Sequence, residues 1–226
     1  MVDTKERPST TNGTESKPGR ARPEWQAQDR RDAIPILGFR EYWYPALTLD
    51  MVGRKPRPWR MLGEDLVFFR GKEKGEVGCV SAVCPHRGGN LAEGDCHWQG
   101  SITCPYHGWT FDAEGTLTAV LSEGPTSLIP ETGVKARAYP TEVLKGMVFV
   151  WMGEQEPAPI EEDVPPEFFE EDAYVRFDIE YWPCNWRRSV ENAADAHASY
   201  VHRDSIRSGK LPHTFSGITA GHYKIV

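Results

Sequence analysis

The sequence has no long apolar run. Its longest, Met147–Met152, is six residues, far short of the roughly 20 that a membrane helix needs. Basic residues are not in excess either. Lys and Arg number 26 against 33 Asp and Glu, a formal charge of −7 with no basic stripe, which argues against nucleic acid as a partner. Cysteine is sparse and odd in number, five in 226 residues, so a disulfide scaffold is not expected. The N-terminus has no apolar stretch of the kind a secretory signal requires, and a cytoplasmic protein with no membrane association is the expectation. Apolar residues are almost missing from residues 1–24, where only Met1, Val2 and Ala21 occur. Residues 1–32 therefore read as a disordered polar tail, unable to bury enough surface to offset ordering entropy.

The chain as a whole is 39% hydrophobic and 11% aromatic, enough for a packed core outside that tail. Short candidate strands broken by Gly and Pro follow one another: RMLGEDLVFFRG, EVGCVSAV, GSITC, GWTFD and GMVFVWMG. That spacing predicts a mainly β fold of antiparallel strands over residues 33–153. Nine acidic residues, several prolines and no Lys or Arg fill residues 154–172, and 154–173 reads as an acidic, Pro-rich connector. Residues 174–226 then begin a second domain. YVRFDIEYW (174–182) is a strand candidate, and NWRRSVENAADAHASYVH (185–202) is free of Gly and Pro and predicts a helix. No internal repeat is evident.

Chemistry concentrates at Cys84-Pro-His86-Arg-Gly and Cys104-Pro-Tyr-His107-Gly-Trp, with seventeen residues between His86 and Cys104. Each half supplies one thiol and one imidazole from a tight turn, and Gly88, Gly89 and Gly108 permit close backbone approach. Two thiolates on one iron and two neutral imidazoles on the other are what a Rieske [2Fe–2S] centre requires. Structural zinc also takes Cys2His2, but usually with each half carrying one ligand type, whereas here each half is mixed. Cys79, Cys96 and Cys184 read as incidental thiols, and His97 as a surface residue.

Farther on, His197 and His202 are separated by four residues, with Asp195 just upstream. Two imidazoles and a carboxylate form the ligand triad of many non-haem iron(II) enzymes. On a regular helix, residues two apart point about 200° from each other, so Asp195 and His197 share a face only if the helix is distorted; Asp195 and His202, seven apart, do share one. A π-bulge would bring His197 and His202 together.

At these residues the sequence resembles the Rieske non-haem iron aromatic-ring-hydroxylating oxygenase α-subunits. Tyr106 and Gly89 stand where quinol-oxidising Rieske proteins carry an additional cysteine pair. LGFREYWYPAL, ITCPYHGWTF, KGMVFVWMGEQEPAPIEEDVPPEFFEED and NWRRSVEN are most similar to terminal oxygenases of the carbazole 1,9a-dioxygenase type. The resemblance implies a Rieske domain, an antiparallel β sandwich with a cluster-binding subdomain, followed by the start of an α+β catalytic domain. It implies a [2Fe–2S] cluster on Cys84, His86, Cys104 and His107, Fe(II) on His197 and His202, and electrons from NAD(P)H through a ferredoxin or reductase. Hydroxylation of an aromatic or heterocyclic compound by O2, within aromatic hydrocarbon catabolism, and a homotrimer are implied with it. Asp195 is then the bridge by which electrons cross from His107 of a neighbouring subunit.

The family leaves two residues between that Asp and the first His; here only Ala196 intervenes. The family's carboxylate ligand lies far downstream, and after His202 the sole acidic residue is Asp204. The expectation is therefore a chain cut short within the catalytic domain and inactive alone. The rival readings are a Rieske electron-transfer protein with a non-functional second domain and a structural zinc protein.

Overall fold

A computed structural model describes residues 34–194 and Asp204. The chain divides into two compact units, Met1–Phe39 and Arg40–Val226. In the described part of the first, the Gly38 N–H closes a turn on the Pro35 carbonyl at 2.9 Å.

Among the described residues of the second unit, nine strands form three antiparallel sheets of three. The first sheet has the order β1 (Trp43–Thr48), β9 (Met147–Trp151), β8 (Thr141–Leu144); the second β2 (Arg57–Met61), β3 (Glu64–Arg70), β4 (Val77–Ser81); the third β5 (Ser101–Thr103), β6 (Trp109–Asp112), β7 (Leu117–Val120). Pro45 and Pro58 lie in β1 and β2, both edge strands, where a missing N–H breaks no inner ladder. The antiparallel β architecture expected from the sequence is the one observed.

The two apolar runs explain how the sheets stack. In β3, Leu66 and Phe68 face one core while Val67 and Phe69 face another. Successive side chains of a strand point to opposite faces, so four consecutive buried residues mean that both faces of the second sheet are covered. One core joins this sheet to the third through Val80, Leu91, Ile102, Phe111 and Leu117. The other joins it to the first through Leu47, Val148, Val150 and Met152. In β9 the alternate residues Met147, Phe149 and Trp151 turn to a third cluster with Trp43, Ile160 and Val164.

Ile160 and Val164 belong to the acidic segment, which is a connector in sequence and a covering layer in space. The Trp43 indole N–H donates to the Ala158 carbonyl at 2.7 Å, and the Trp43 backbone N–H to the Asp163 carboxylate at 2.8 Å. The Lys145 ammonium binds the carbonyls of Glu170 and, at 2.9 Å, of Ala173. Of the acidic side chains, Asp163 and Glu167 are half-buried and the others exposed.

Residues 174–182 form no strand, against the sequence reading. A strand exists only with a hydrogen-bonding neighbour, and no described strand pairs with this segment. Helix α1 (Trp186–Ala194) begins where expected, capped by the Asn185 side chain, which accepts from the Arg187 N–H at 3.0 Å. Arg188 and Glu191 pair along it at 2.8 Å.

Candidate metal centre

Two loops at one end of the third sheet carry the thiols and imidazoles. The first, Cys84 to Gly89, follows β4; the second, Cys104 to Trp109, runs from β5 into the start of β6. Each is closed by the same pair of backbone hydrogen bonds. In the first, the Gly88 N–H donates to the Cys84 carbonyl and the Cys84 N–H to the Gly89 carbonyl, both at 2.9 Å. In the second, the Gly108 N–H donates to the Cys104 carbonyl at 3.0 Å, and the Cys104 N–H to the Trp109 carbonyl at 2.8 Å. Gly88 and Gly108 sit at the same left-handed φ, 71° and 69°, a conformation that disfavours a β-carbon.

The loops are thus a six-residue structural repeat that the sequence reading missed. Cys84 matches Cys104, Pro85 matches Pro105, His86 matches Tyr106, Arg87 matches His107, and Gly88 matches Gly108. The His shifts by one place between copies, and that shift hides the repeat in the letters.

Both thiols are buried, Cys84 at 2% and Cys104 at 3% exposure. Gly89 lets them approach: a β-carbon there would lie 2.8 Å from the Cys104 Sγ and 3.9 Å from the Cys84 Cβ. The imidazoles of His86 and His107 are neighbours too, with ring centroids 4.8 Å apart. The four donors therefore sort into a thiol pair and an imidazole pair. Among the described residues no three His, Cys, Asp or Glu side chains gather as one metal ion would need. A two-iron group, taking two protein donors per iron, fits this sorting.

Electrostatics point the same way. Burial, with the adjacent Cys104 thiol adding to it, pushes Cys84 up to about 11, although the backbone N–H groups of His86 and Arg87 pull its pKa down. Without added positive charge the Cys84 thiol stays protonated; a metal group that binds thiolate supplies it. His86 is lowered, by loss of hydration and by facing His107 and Arg87, which favours the neutral imidazole that ligates metal.

Aromatic rings flank both imidazoles, a feature the motif spacing did not reveal. Trp109 stacks on His86 at 4.4 Å with only 3° between planes, and Tyr106 lies against His107 at 3.9 Å and 32°. Beneath, the buried hydroxyls of Thr103 and Thr110 satisfy each other at 2.9 Å. Asn90 turns the chain away from the first loop by accepting from the Ala92 N–H at 3.0 Å.

Of the other singled-out residues, Cys79 is buried, Cys96 half-buried and Cys184 exposed, and all five cysteines are free. Asp195, His197 and His202 lie outside the described residues.

Residues 42–133 match the Rieske [2Fe-2S] domain family, and residues 151–215 the homotrimeric ring hydroxylase family. The chain is 35% identical over 173 residues to the terminal oxygenase component of carbazole 1,9a-dioxygenase from Metapseudomonas resinovorans, covering 75% of this chain and 44% of that protein. It is 37% identical over 170 residues to the phthalate 4,5-dioxygenase oxygenase subunit of Pseudomonas putida, covering 73% and 37%. The solved terminal oxygenase of carbazole 1,9a-dioxygenase from Novosphingobium sp. KA1 superimposes with a TM-score of 0.68 at 37% identity, over 77% of this chain and 47% of that one. The chain spans less than half the length of these relatives.

Proposed function

From a chain that belongs to the Rieske non-haem iron ring-hydroxylating oxygenases, we infer a component that passes electrons from a [2Fe–2S] cluster to a mononuclear iron for O2-dependent hydroxylation of an aromatic or heterocyclic compound. The observation that carries this reading is the matched pair of loops, which presents two buried thiols and two adjacent imidazoles at one end of a sheet.

Cys84 and Cys104 are assigned to hold one iron of the cluster, and His86 and His107 the other. A cluster with neutral imidazoles supplies one-electron chemistry at a higher potential than an all-cysteine one. The chain's own part is to hold the donors in register and keep the thiols dry through Gly89 and the core below. The half-exposed imidazoles are then the side from which an electron enters or leaves. We assign residues 33–153 as the cluster domain, 154–173 as the connector and 174–226 as the start of the catalytic domain. His197 and His202 are the proposed iron(II) ligands. Asp195 is the proposed bridge to a neighbouring subunit, its carboxylate fixing imidazole tautomers on either side.

The proposed partners are a ferredoxin or reductase carrying NAD(P)H-derived electrons, an aromatic substrate and O2, within a homotrimer. The solved relatives include complexes of oxygenase with ferredoxin and with carbazole. We place the protein in the cytoplasm, where five free cysteines are at home; among the described residues no helix is long and apolar enough to cross a membrane.

Metal stoichiometry tests the reading. Anaerobically purified protein should contain acid-labile sulfide with its cluster iron, accept electrons from NADH through a ferredoxin–reductase pair, and bind one further iron(II) that His197→Ala and His202→Ala abolish. Cluster iron alone, with no additional ion taken up, would favour the electron-transfer protein instead.

A further inference from the structure

We propose that Trp109 is a positioning residue for His86, an inference that rests on the cluster assignment above. The repeat shows why this residue stands out. At the place where the first loop ends on Gly89, the second ends on Trp109, and the departure from symmetry is directional. The indole crosses to the other loop and lies face to face on His86, at 4.4 Å and 3°. Trp109 is 8% exposed and leans on the fully buried Phe111, ring centroids 6.4 Å apart. His86 thus rests on a platform anchored in the core, which fixes the ring plane of the imidazole and keeps water from one of its faces. The aromatic neighbour of His107 differs. Tyr106 is 63% exposed and tilted by 32°, so it offers contact without a fixed base. The two imidazoles are therefore held unequally, His86 rigidly and His107 loosely.

The rival role for Trp109, plain core filling, makes a different statement. Any apolar side chain of similar bulk would serve, and only stability would change on substitution. Trp109→Met keeps much of the bulk and removes the ring; Trp109→Phe keeps a ring too short to cover the imidazole.

The test uses pulsed EPR of the dithionite-reduced holoprotein, which resolves the two coordinating nitrogens, together with a redox titration. In both variants one nitrogen coupling should shift or broaden while the other stays as in wild type. The potential should rise, more in Trp109→Met, because water reaching the cluster stabilises the more negative reduced state. Should Trp109→Met fail to load, Trp109→Phe decides alone, and a folded Trp109→Phe chain that no longer holds cluster also supports the proposal. Unchanged couplings and potential with only a lowered melting temperature overturn it, as do two couplings that move together. A wild-type chain with no cluster or no nitrogen coupling would instead remove the cluster assignment itself.

Discussion

Gly88 and Gly89 are adjacent, yet they are glycines for different reasons, and substituting each by Ala separates backbone strain from crowding of the metal site. At Gly88 the φ is 71° and an added β-carbon meets nothing within 4 Å, so Gly88→Ala costs only the left-handed conformation, about 1–2 kcal/mol. Gly89 is not among the positive-φ residues, so its backbone suits any side chain. Its β-carbon, however, would stand 2.8 Å from the Cys104 Sγ and 3.3 Å from the Tyr106 Cβ. Ordinary contact is about 3.5–4.0 Å, so the loops must open by roughly 1 Å, against a thiol packed at 3% exposure. Overpacking of that kind costs about 1–3 kcal/mol. The two variants should lose similar stability, about 2–4 °C of Tm per kcal/mol for a chain of this size, and differ in metal. Iron and acid-labile sulfide per chain after anaerobic purification should stay near wild type in Gly88→Ala and fall severalfold in Gly89→Ala. Equal loading in the two, at comparable Tm, would refute the claim that Gly89 sets the distance between the cluster loops.

His107→Cys should keep a cluster but lower its reduction potential, on the order of 100 mV or more, because a thiolate adds negative charge where an imidazole was neutral; a redox titration checks this. Glu64 supplies a pH signature. Burial raises its pKa, but the Tyr139 hydroxyl, Arg40 and, at 3.7 Å, Arg137 outweigh that and hold it below 4.5. The stability it adds is present above its unfolded value and lost as pH falls through the depressed folded one. The stability gap between wild type and Glu64→Gln should therefore be widest near neutrality and shrink below about pH 4.5 in denaturant titrations. Lys145→Ala should free the end of the connector, whose carbonyls it grips. Limited proteolysis between residues 170 and 174 should accelerate while the cluster spectrum is unchanged.

The gathering of Cys84, Cys104, His86 and His107 was legible because metal chemistry fixes residue type and spacing together. Mixed Cys and His in two short turns, each with its glycine, left few alternatives. The alternation in β3 and β9 was legible as apolar runs, though not as sheets covered on both faces; four buried residues in a row look the same in sequence whatever covers them. The stack of Trp109 on His86 was hidden, since it joins residues of different loops and leaves no period to read. The packing of the connector was not legible from its composition. Its acidic and Pro residues read as a connector, while Ile160 and Val164, with Ala158 and Phe168 beside them, pack it onto the third cluster. The strand expected at 174–182 had the right propensity, but propensity supplies no partner.

The most direct test of the central claim is pulsed EPR on reduced protein grown with 15N-histidine. The expected result is a [2Fe–2S] signal with two histidine nitrogen couplings, both converted by the label, one lost in His86→Cys and the other in His107→Cys. A colourless zinc-loaded protein, or a cluster signal with no histidine nitrogen coupled to it, would contradict the account.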